Sequence, residues 1–396
     1  MTGYSIHAIN SASSGMMTFC KFLSANDTGE TGGHQSGIYL SKPAVPILFD
    51  EPGVKGDNKE KWVRIVWQNG ELITNSRFIY YGKGTRNEYR ITNFGRGFPY
   101  LSSEYTGALF VLVRRDDIDY EGFILNTEDE IENFLDSFGI TPPETNRLIN
   151  TDFIVEEQYT EETAIDELIA TLQVDFPASE VMSTEARNIW LKTGADITWI
   201  RDNPDGCLLE WTELEFRLFR ELEHHRYGGM IQRGFDSVED FISLANKVLN
   251  RRKSRAGKSL EHHIAAVLDA NEISYTAQGT TEGNKRPDFI FPSEEAYHDP
   301  LFSIEYLTTL AAKTTCKDRW RQVINEADRL RDKEKYLCTL QQGISEAQMD
   351  EMESEGVVLV VPKPYISTYP KSRQERIWTI KMFLDYVKDK ELRHGR

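Results

Sequence analysis

The stretch RPDFIFPSEEAYHDPLFSIEYLTTLAAKTTCKDRWRQVINEA, from Arg286 to Ala327, decides the fold class and the chemistry of this chain. Asp288 opens an apolar segment typical of a buried strand, Lys313 lies at the end of a second such segment, and Glu326 follows. Carboxylates bind Mg²⁺ through oxygen, and a lysine close by polarises the attacking water or stabilises developing negative charge. On an α/β core, this set of residues predicts metal-dependent cleavage of a phosphodiester bond.

The second acid of this set is not where the common nuclease signature has it. The signature PD…(D/E)xK places an acid two residues before the lysine, and this chain has Ala311 there. We expect Glu326 to replace that acid from a helix beginning at about Asp318, whose apolar stripe would pack on the sheet. Glu261, after a basic segment, is the candidate for a further acid.

Taken alone, these residues also fit ordinary structural or solvent-exposed roles. Pro287 is also the kind of residue that starts an edge strand, and a glutamate on a helix flank is more often solvated than catalytic. Glu305 and Asp299 compete with Glu326 for a metal-binding role because they lie closer to the lysine or to the first acid in sequence.

Length and composition describe a soluble protein of two domains. The 396 residues exceed one typical core, and 39% hydrophobic with 28% charged residues is an ordinary balance. No run approaches the roughly 18–20 apolar residues of a membrane span, and the first residues do not resemble a secretory signal. Scattered cysteines without a CxxC pair argue against zinc and disulfides and favour a reducing cytoplasm. They are Cys20, Cys207, Cys316 and Cys338.

The charge distribution qualifies a net charge of −17, which by itself opposes nucleic-acid binding. KVLNRRKSRAGK, residues 247–258, contains six basic residues and no acid. An acidic protein with focused basic patches still suits DNA binding. The alternative is that this run is a solvated helix face.

The two halves of the chain differ in their patterns. The first 150 or so residues are β-rich, whereas helices alternate with short strands from about residue 185, which predicts an α/β core with helices on both faces. Between the halves lies the acidic segment 151–183, in which VDFPASEVMS has the character of a linker, so we expect a boundary near residue 180 and domains at 1–180 and 181–396. The principal predicted strands are 62–67, 77–82, 89–92, 108–115, 288–291, 307–314, 337–341 and 357–362, and the predicted helices are 212–227, one capped by Asp236 and one at 259–270.

Longer segments resemble a known family in both halves. NRRKSRAGKSLE, TEGNKRPDFIFPS, AYHD and KTTCKDRWRQVINEAD resemble the C-terminal catalytic domain of the EcoRII family of restriction endonucleases. LSANDTGETGGHQSGIYL, TRNEYRIT and GRGFPYLSSEYTGAL resemble its N-terminal effector domain. The likeness keeps the order of both domains, and only residues 116–210 diverge strongly.

This resemblance implies a Type II restriction endonuclease that cuts double-stranded DNA before the first cytosine of CC(A/T)GG or a closely related site, with Mg²⁺. It implies a restriction-endonuclease-like, PD-(D/E)xK catalytic domain that forms a homodimer or higher assembly. It also implies an N-terminal pseudobarrel similar to plant B3 domains, which binds a second copy of the site as effector and otherwise blocks the catalytic cleft. The family flips its central bases, but the pocket for them cannot be mapped on this sequence.

The resemblance also assigns residues, carried over position by position. It implies an active site with Asp288 and Glu326 as metal ligands, base reading by three consecutive residues, and effector contacts in the N-terminal half. The active-site residues are Glu261, Asp288, Tyr297, Lys313 and Glu326; the base-reading residues are Lys317, Asp318 and Arg319; the effector contacts are His34, Tyr39, Arg86, Glu88 and Arg90.

Two departures from the family pattern concern effector binding. An additional glycine lies between Gly82 and Arg86, and Tyr89 stands where the family enzyme has lysine. Two other functions remain as alternatives: a DNA-binding protein of the same lineage that does not cut, and a nuclease for RNA or branched DNA. The intact Asp288, Lys313 and Glu326 oppose the first, and no RNA-binding motif supports the second.

Overall fold

The structure is a computed structural model that describes residues 3–30, 37–149, 159–317 and 319–394. It contains two compact units. Unit 1 comprises the described residues of Met1–Asp152, Gln341–Glu351 and Tyr365–Glu375, and unit 2 those of Phe153–Leu340, Met352–Pro364 and Arg376–Arg396. Within the described ranges, no helix combines the length and apolar character needed to cross a membrane.

Unit 1 is built on an eight-stranded sheet of order β2-β5-β4-β3-β7-β6-β1-β8. All neighbouring strands are antiparallel except β3 and β7. Its strands are β1 (Met17–Phe22), β2 (Ile38–Leu40), β3 (Lys59–Trp67), β4 (Leu72–Tyr81), β5 (Glu88–Thr92), β6 (Leu109–Arg114), β7 (Asp119–Leu125) and β8 (Arg147–Ile149), and its first helices are α1 (Gly3–Ser14), α2 (Val45–Leu48) and α3 (Glu128–Phe138).

The two faces of this sheet are covered differently. One face carries the larger core, in which Trp67, Phe78 and Phe110 are fully buried. On the other face, α1 and α3 pack over β6 and β7, where Val111 and Phe123 belong to a second core. Because side chains alternate along a strand, the part of this second face on β2, β5 and β4 carries Tyr39, Arg90 and Arg77 instead.

Two later segments of the chain join unit 1 through buried polar contacts. Gln341 Nε2 donates to Gly107 O at 2.9 Å, and the Tyr369 hydroxyl donates to Gln341 O at 2.7 Å. Gly107 has φ +80°, and a Cβ there would lie 2.1 Å from Gly343 O, so only glycine fits this approach.

Unit 2 combines a five-stranded mixed sheet of order β13-β12-β11-β10-β9 with long helices. β9, β10 and β11 are antiparallel, and β11, β12 and β13 are parallel. The strands are β9 (Thr276–Ala277), β10 (Phe289–Phe291), β11 (Thr308–Lys313), β12 (Lys335–Thr339) and β13 (Val357–Val360), and the helices are α4 (Tyr159–Thr171), α5 (Ser179–Lys192), α6 (Trp199–Asp202), α7 (Pro204–Arg233), α8 (Val238–Ala270), α9 (Glu294–His298) and α11 (Ile380–His394). Most of α10 (Glu346–Ser354) belongs to unit 1.

The predicted β-rich first half and α/β second half are confirmed, with corrections in detail. The helix expected at 212–227 is the longer α7, and those expected after Asp236 and at 259–270 are one helix, α8. Its cap is Ser237, whose hydroxyl accepts from Asp240 N at 3.1 Å, so the cap lies one residue later than predicted.

The helix expected to carry Glu326 is also different. The chain forms 3₁₀ turns at Arg319–Asn325 and Asp328–Leu330. The Thr281 hydroxyl donates to Glu326 O at 2.5 Å, and Asp328 N donates to Glu282 Oε2 at 3.1 Å. These tertiary hydrogen bonds use backbone groups that a continuous α-helix would need for itself.

Candidate active site

Asp288 and Lys313 meet at the junction of two neighbouring strands. β10 pairs with β11 in the register Phe289↔Leu310, so Asp288, directly before β10, lies beside the last residues of β11. Asp288 Oδ2 accepts from Ala312 N at 2.8 Å, and Lys313 Nζ lies 3.7 Å from the same oxygen. Asp288 and Lys313 therefore lie at neighbouring strands, close enough to act on one phosphate.

Glu326 lies within electrostatic range of both. Its burial and the negative charge of Asp288 raise its pKa to about 7, and the positive charge of Lys313 lowers it only in part. A carboxyl group in this environment ionises reluctantly unless another positive charge arrives. A bound cation would supply the positive charge that favours the ionised form of Glu326.

Glu261 reaches the same cluster from α8. Its Oε2 accepts from Lys258 Nζ and from Gln278 Nε2, both at 2.9 Å. Gln278 Nε2 also donates to Asp288 Oδ1 at 2.8 Å, so one amide group links the two acids. Sequence reasoning missed Gln278; the signal that would have found it is the β9–β10 pairing Ala277↔Phe289, which sets residue 278 opposite residue 288.

Tyr297 is buried beside the segment that follows Glu326. Its hydroxyl donates to Glu282 Oε2 at 2.7 Å and accepts from Arg329 N at 3.2 Å. Burial and the hydrogen bond to Glu282 raise the pKa of Tyr297. The contacts therefore give Tyr297 a part in holding residues 327–329, and Glu282 and Thr281 are partners that sequence reasoning missed.

Asp288 and Glu326 are the acids that could bind a divalent cation beside Lys313. Among the residues that the structure describes, no group of three or more His, Cys, Asp or Glu side chains is arranged to hold a metal ion. Mg²⁺, however, is commonly held by one or two carboxylates together with waters and substrate phosphates. Asp288 and Glu326, two largely buried acids beside a lysine, fit a cation whose shell the substrate completes.

The competing acids have surface environments. Asp299 and Glu305 are both exposed, and Asp299 Oδ1 accepts from Leu301 N at 2.9 Å, which stabilises a turn. Neither shows the burial that distinguishes Asp288 and Glu326.

The predicted base-reading residues are only partly described. Lys317 is buried, Arg319 begins the 3₁₀ turn, and Asp318 lies outside the described residues.

Part of the basic run on α8 has a structural role. Arg251 donates to the Tyr227 hydroxyl at 2.6 Å, and Arg252 Nη2 lies 2.5 Å from Glu223 Oε2, both across to α7. The alternative reading of this run as solvated residues is thus wrong for these two arginines, which join helices.

In unit 1, three predicted effector contacts share the sheet face that α1 and α3 leave uncovered. Tyr39 pairs with Arg90 in the β2–β5 register, and Arg90 Nη2 lies 3.4 Å from Glu88 Oε2. Arg86 lies over the Tyr81 ring, 5.2 Å from its centroid. His34 lies outside the described residues.

A buried pair missed from the sequence holds Tyr39 in place. Lys21 Nζ donates to Asp27 Oδ2 at 2.7 Å and to Tyr39 O at 2.8 Å, and Asp27 Oδ1 accepts from Tyr39 N at 2.7 Å.

The two departures from the family pattern have clear places. Gly84 occupies a turn with φ +65° between β4 and β5. Tyr89 is buried in the larger core, and its hydroxyl accepts from Gly53 N at 2.9 Å. Tyr89 therefore points away from the face that carries Glu88 and Arg90.

Comparisons with known proteins match both halves. The family model "EcoRII C terminal" matches residues 219–384, and "Restriction endonuclease EcoRII, N-terminal" matches residues 12–145. The chain is 35% identical to the Type II restriction enzyme EcoRII of Escherichia coli over 92% of each chain. It is 27% identical to the Type II restriction enzyme SsoII of Shigella sonnei over 32% of this chain and 46% of that one.

Solved structures show a weaker likeness. Metal-depleted Ecl18kI in complex with uncleaved, modified DNA has a TM-score of 0.48 and 19% identity, over 60% of this chain and 85% of that one. The restriction endonuclease PspGI–substrate DNA complex has a TM-score of 0.43 and 16% identity, over 54% and 93%. Both TM-scores lie below 0.5, so the assignment rests on the sequence matches.

Proposed function

Because the chain belongs to the EcoRII family of Type II restriction endonucleases, we propose that it hydrolyses double-stranded DNA at CC(A/T)GG or a closely related site, before the first cytosine, with Mg²⁺. The observation that carries this proposal is the meeting of Asp288, Lys313 and Glu326 at the edge of β10 and β11. Family membership gives the activity of a site-specific nuclease and suggests a divalent metal, and these residues supply the chemistry.

In this mechanism each side chain has one task. Asp288 and Glu326 would hold the cation, which supplies an ionised water and neutralises charge on the phosphate. Ala312 N fixes one oxygen of Asp288, and Gln278 fixes the other. The Lys313 ammonium, close to Asp288, donates to the negative charge that develops on the phosphoryl oxygens.

Specificity in this proposal lies beside the catalytic residues. Arg319 donates to guanine O6 and N7, and Asp318 accepts from cytosine N4, so adjacent residues read a G·C pair in the major groove. Lys317, on the same connection after β11, completes the recognition segment. This places base reading a few residues from Lys313.

The effector part of the proposal concerns unit 1. A second copy of the site would bind the face that carries Tyr39, Glu88 and Arg90, together with Arg86 and His34. Its support is that α1 and α3 cover only the other half of this sheet face, where Tyr39 is exposed and Glu88 pairs with the buried Arg90. Residues 1–180 would otherwise block the catalytic cleft, and the catalytic residues 181–396 would act as a homodimer. Four free, buried cysteines fit a reducing cytoplasm as the compartment.

The test is a digest of plasmids that carry zero, one or several CC(A/T)GG sites, with Mg²⁺ or with EDTA, followed by sequencing of the ends. We expect Mg²⁺-dependent cuts before the first cytosine, with multi-site plasmid preferred. Cuts at another sequence would overturn the assignment of Lys317, Asp318 and Arg319 while keeping the nuclease. Binding without cutting would favour the non-cleaving alternative.

The effector proposal has its own experiment. A chain beginning at Tyr159 keeps α4, which packs in unit 2 through the ion pair of Glu161 with Arg217. If unit 1 blocks the cleft, this truncation cuts single-site plasmid several-fold faster than the full chain does. Equal or slower cutting, with the truncated protein shown to be folded, would contradict the block. The control is a multi-site plasmid, on which the two proteins should differ less.

A further inference from the structure

Gln278 occupies an unusual backbone position opposite Asp288. Its N–H donates to Asp288 O at 2.9 Å, which extends the β9–β10 ladder by one residue. Gln278 has φ +52°, in the left-handed region that non-glycine residues seldom adopt. Such a conformation persists where the surrounding contacts determine it.

The side-chain amide of Gln278 makes two hydrogen bonds from this backbone position. Its Nε2 donates to Glu261 Oε2 at 2.9 Å and to Asp288 Oδ1 at 2.8 Å. A primary amide has two N–H bonds, and the two acids use both. The amide thereby ties α8, which carries Glu261, to the start of β10, where Asp288 lies.

The other contacts of the two acids do not link them to each other, whereas the Gln278 amide does. Asp288 Oδ2 accepts from Ala312 N, so Gln278 fixes the remaining oxygen. Glu261 Oε2 accepts from Lys258 as well, but Lys258 is exposed and on the same helix, so it does not link Glu261 to the sheet. Gln278 is the described contact that joins the two carboxylates.

The chemistry of the amide suits a site that holds a cation. A lysine at this position would neutralise the acids and repel a divalent ion, and a glutamate would add a third negative charge. An amide orients both carboxylates by hydrogen bonds and leaves their charge unchanged. Asp288 Oδ1, which accepts from Gln278, keeps a further lone pair for a metal or a water.

We propose that Gln278 is a positioning residue that sets the relative orientation of Glu261 and Asp288 and thereby the affinity of the active site for its divalent cation. This inference rests on the proposed metal-dependent cleavage. Hydrogen-bond partners of metal-ligating carboxylates commonly change metal affinity or activity by about 10–100-fold when they are removed.

The experiment compares Gln278→Leu, which keeps the approximate volume without the donors, with Gln232→Leu on an exposed part of α7. The full chain is bound to a duplex that carries the site, and Ca²⁺ binding is measured by calorimetry. Cleavage is measured separately as a function of Mg²⁺ concentration. For Gln278→Leu we expect Ca²⁺ affinity to fall about 10–100-fold, with a matching rise in the Mg²⁺ concentration for half-maximal rate. DNA affinity without cation should stay within about twofold, since the amide acts on the cation site.

Each possible result either supports or contradicts the proposed role of Gln278. Unchanged or tighter Ca²⁺ binding by a folded Gln278→Leu protein would overturn the inference while the proposed function stands, and so would an equal loss in Gln232→Leu. If the wild-type complex neither binds Ca²⁺ nor cuts with Mg²⁺, the proposed function fails as well. Should Gln278→Leu not fold, Gln278→Asn, which keeps the donors but shortens their reach, gives the same comparison, with weakened cation binding supporting the inference.

Discussion

Two glutamates of unit 2, the buried Glu215 and the half-buried Glu326, have pKa values shifted in opposite directions. Glu215, on α7, is fully buried; burial alone would raise its pKa, but the charge of Arg255 and the hydrogen bond from His263 lower it to about 2. Glu326 lacks such compensation, and its burial beside Asp288 raises its pKa to about 7. The neighbours, more than the degree of burial, decide which charge state each site favours.

The buried negative charge of Glu215 is surrounded by hydrogen-bond donors and positive charge. Its Oε2 accepts from the Ser183 and Ser259 hydroxyls, both at 2.7 Å, and lies 2.9 Å from His263 Nε2. Burial lowers the pKa of His263, and Arg187 donates to its Nδ1 at 3.1 Å, so the ring is neutral with its proton on Nε2. This cluster joins α5, α7 and α8, and Arg255 already balances the charge of Glu215, whereas we propose that Asp288 and Glu326 gain positive charge from a cation.

The largest expected effect is a loss of stability on removing the charge of Glu215 from its buried cluster. Glu215→Gln removes the carboxylate charge that pairs with the buried Arg255, which we expect to cost about 3–5 kcal/mol of the free energy of unfolding. Denaturant unfolding of the full chain measures this. Glu221→Gln, on an exposed part of the same helix, is the control and should change stability by less than about 0.5 kcal/mol. A cost below about 1 kcal/mol for Glu215→Gln would mean that the cluster is not a structural ion pair.

The second-largest expected effect is a loss of DNA cleavage on removing Asp288 from the acids beside Lys313. Asp288→Ala removes the acid that contacts Ala312 N, Lys313 and Gln278, and we expect DNA cleavage to fall by at least about 10²–10³-fold. Binding of the uncleaved site should persist, as a gel-shift assay with Ca²⁺ would show. Asp299→Ala, at an exposed turn, is the matched control. Cutting that survives Asp288→Ala would remove Asp288 from the active site and point to a contaminating nuclease.

The two clusters also differ in how far the sequence predicts them. Asp288 and Lys313 belong to two apolar segments that pair as neighbouring strands, so short-range pattern and strand order suffice to bring them together. Glu326 was predicted from an apolar helical stripe as well as from the family resemblance, but the segment forms 3₁₀ turns that Thr281 and Glu282 help to hold. Tertiary hydrogen bonds of this kind leave no periodic signal.

Glu215 and Gln278 were missed for a related reason. The partners of Glu215, which lies on α7, come from α5 and α8 and are far apart in sequence, so only the packing of these three helices reveals the cluster. Gln278 depends on the exact pairing of β9, a strand of two residues that carries too little pattern to be recognised. Neither short strands nor helix faces in mutual contact can be read from local periodicity, which is why the fold class was predictable and these contacts were not.

The smallest expected effect sharpens the contrast through pH. With EDTA present, the folded chain keeps a proton on Glu326 between pH 4.5 and about 7 that the unfolded chain has released, so Glu326 lowers the free energy of unfolding as the pH rises through this window. Glu215 acts in the opposite direction, because its stabilisation is present above pH 4.5 and is lost as the pH falls toward 2. Glu326→Gln should therefore gain stability over the wild type on going from pH 4.5 to 7.5, by on the order of 1 kcal/mol, and keep the acid-side loss due to Glu215.

Urea unfolding of both proteins across this pH range, with Glu305→Gln as the exposed control, measures the difference. Mg²⁺ should reduce it, since a bound cation favours the ionised carboxylate in the wild type alone. A difference that does not change with pH would mean that Glu326 ionises as it does in water. Glu326 would then be a solvated surface residue, and the contrast with Glu215 would reduce to ordinary exposure against burial.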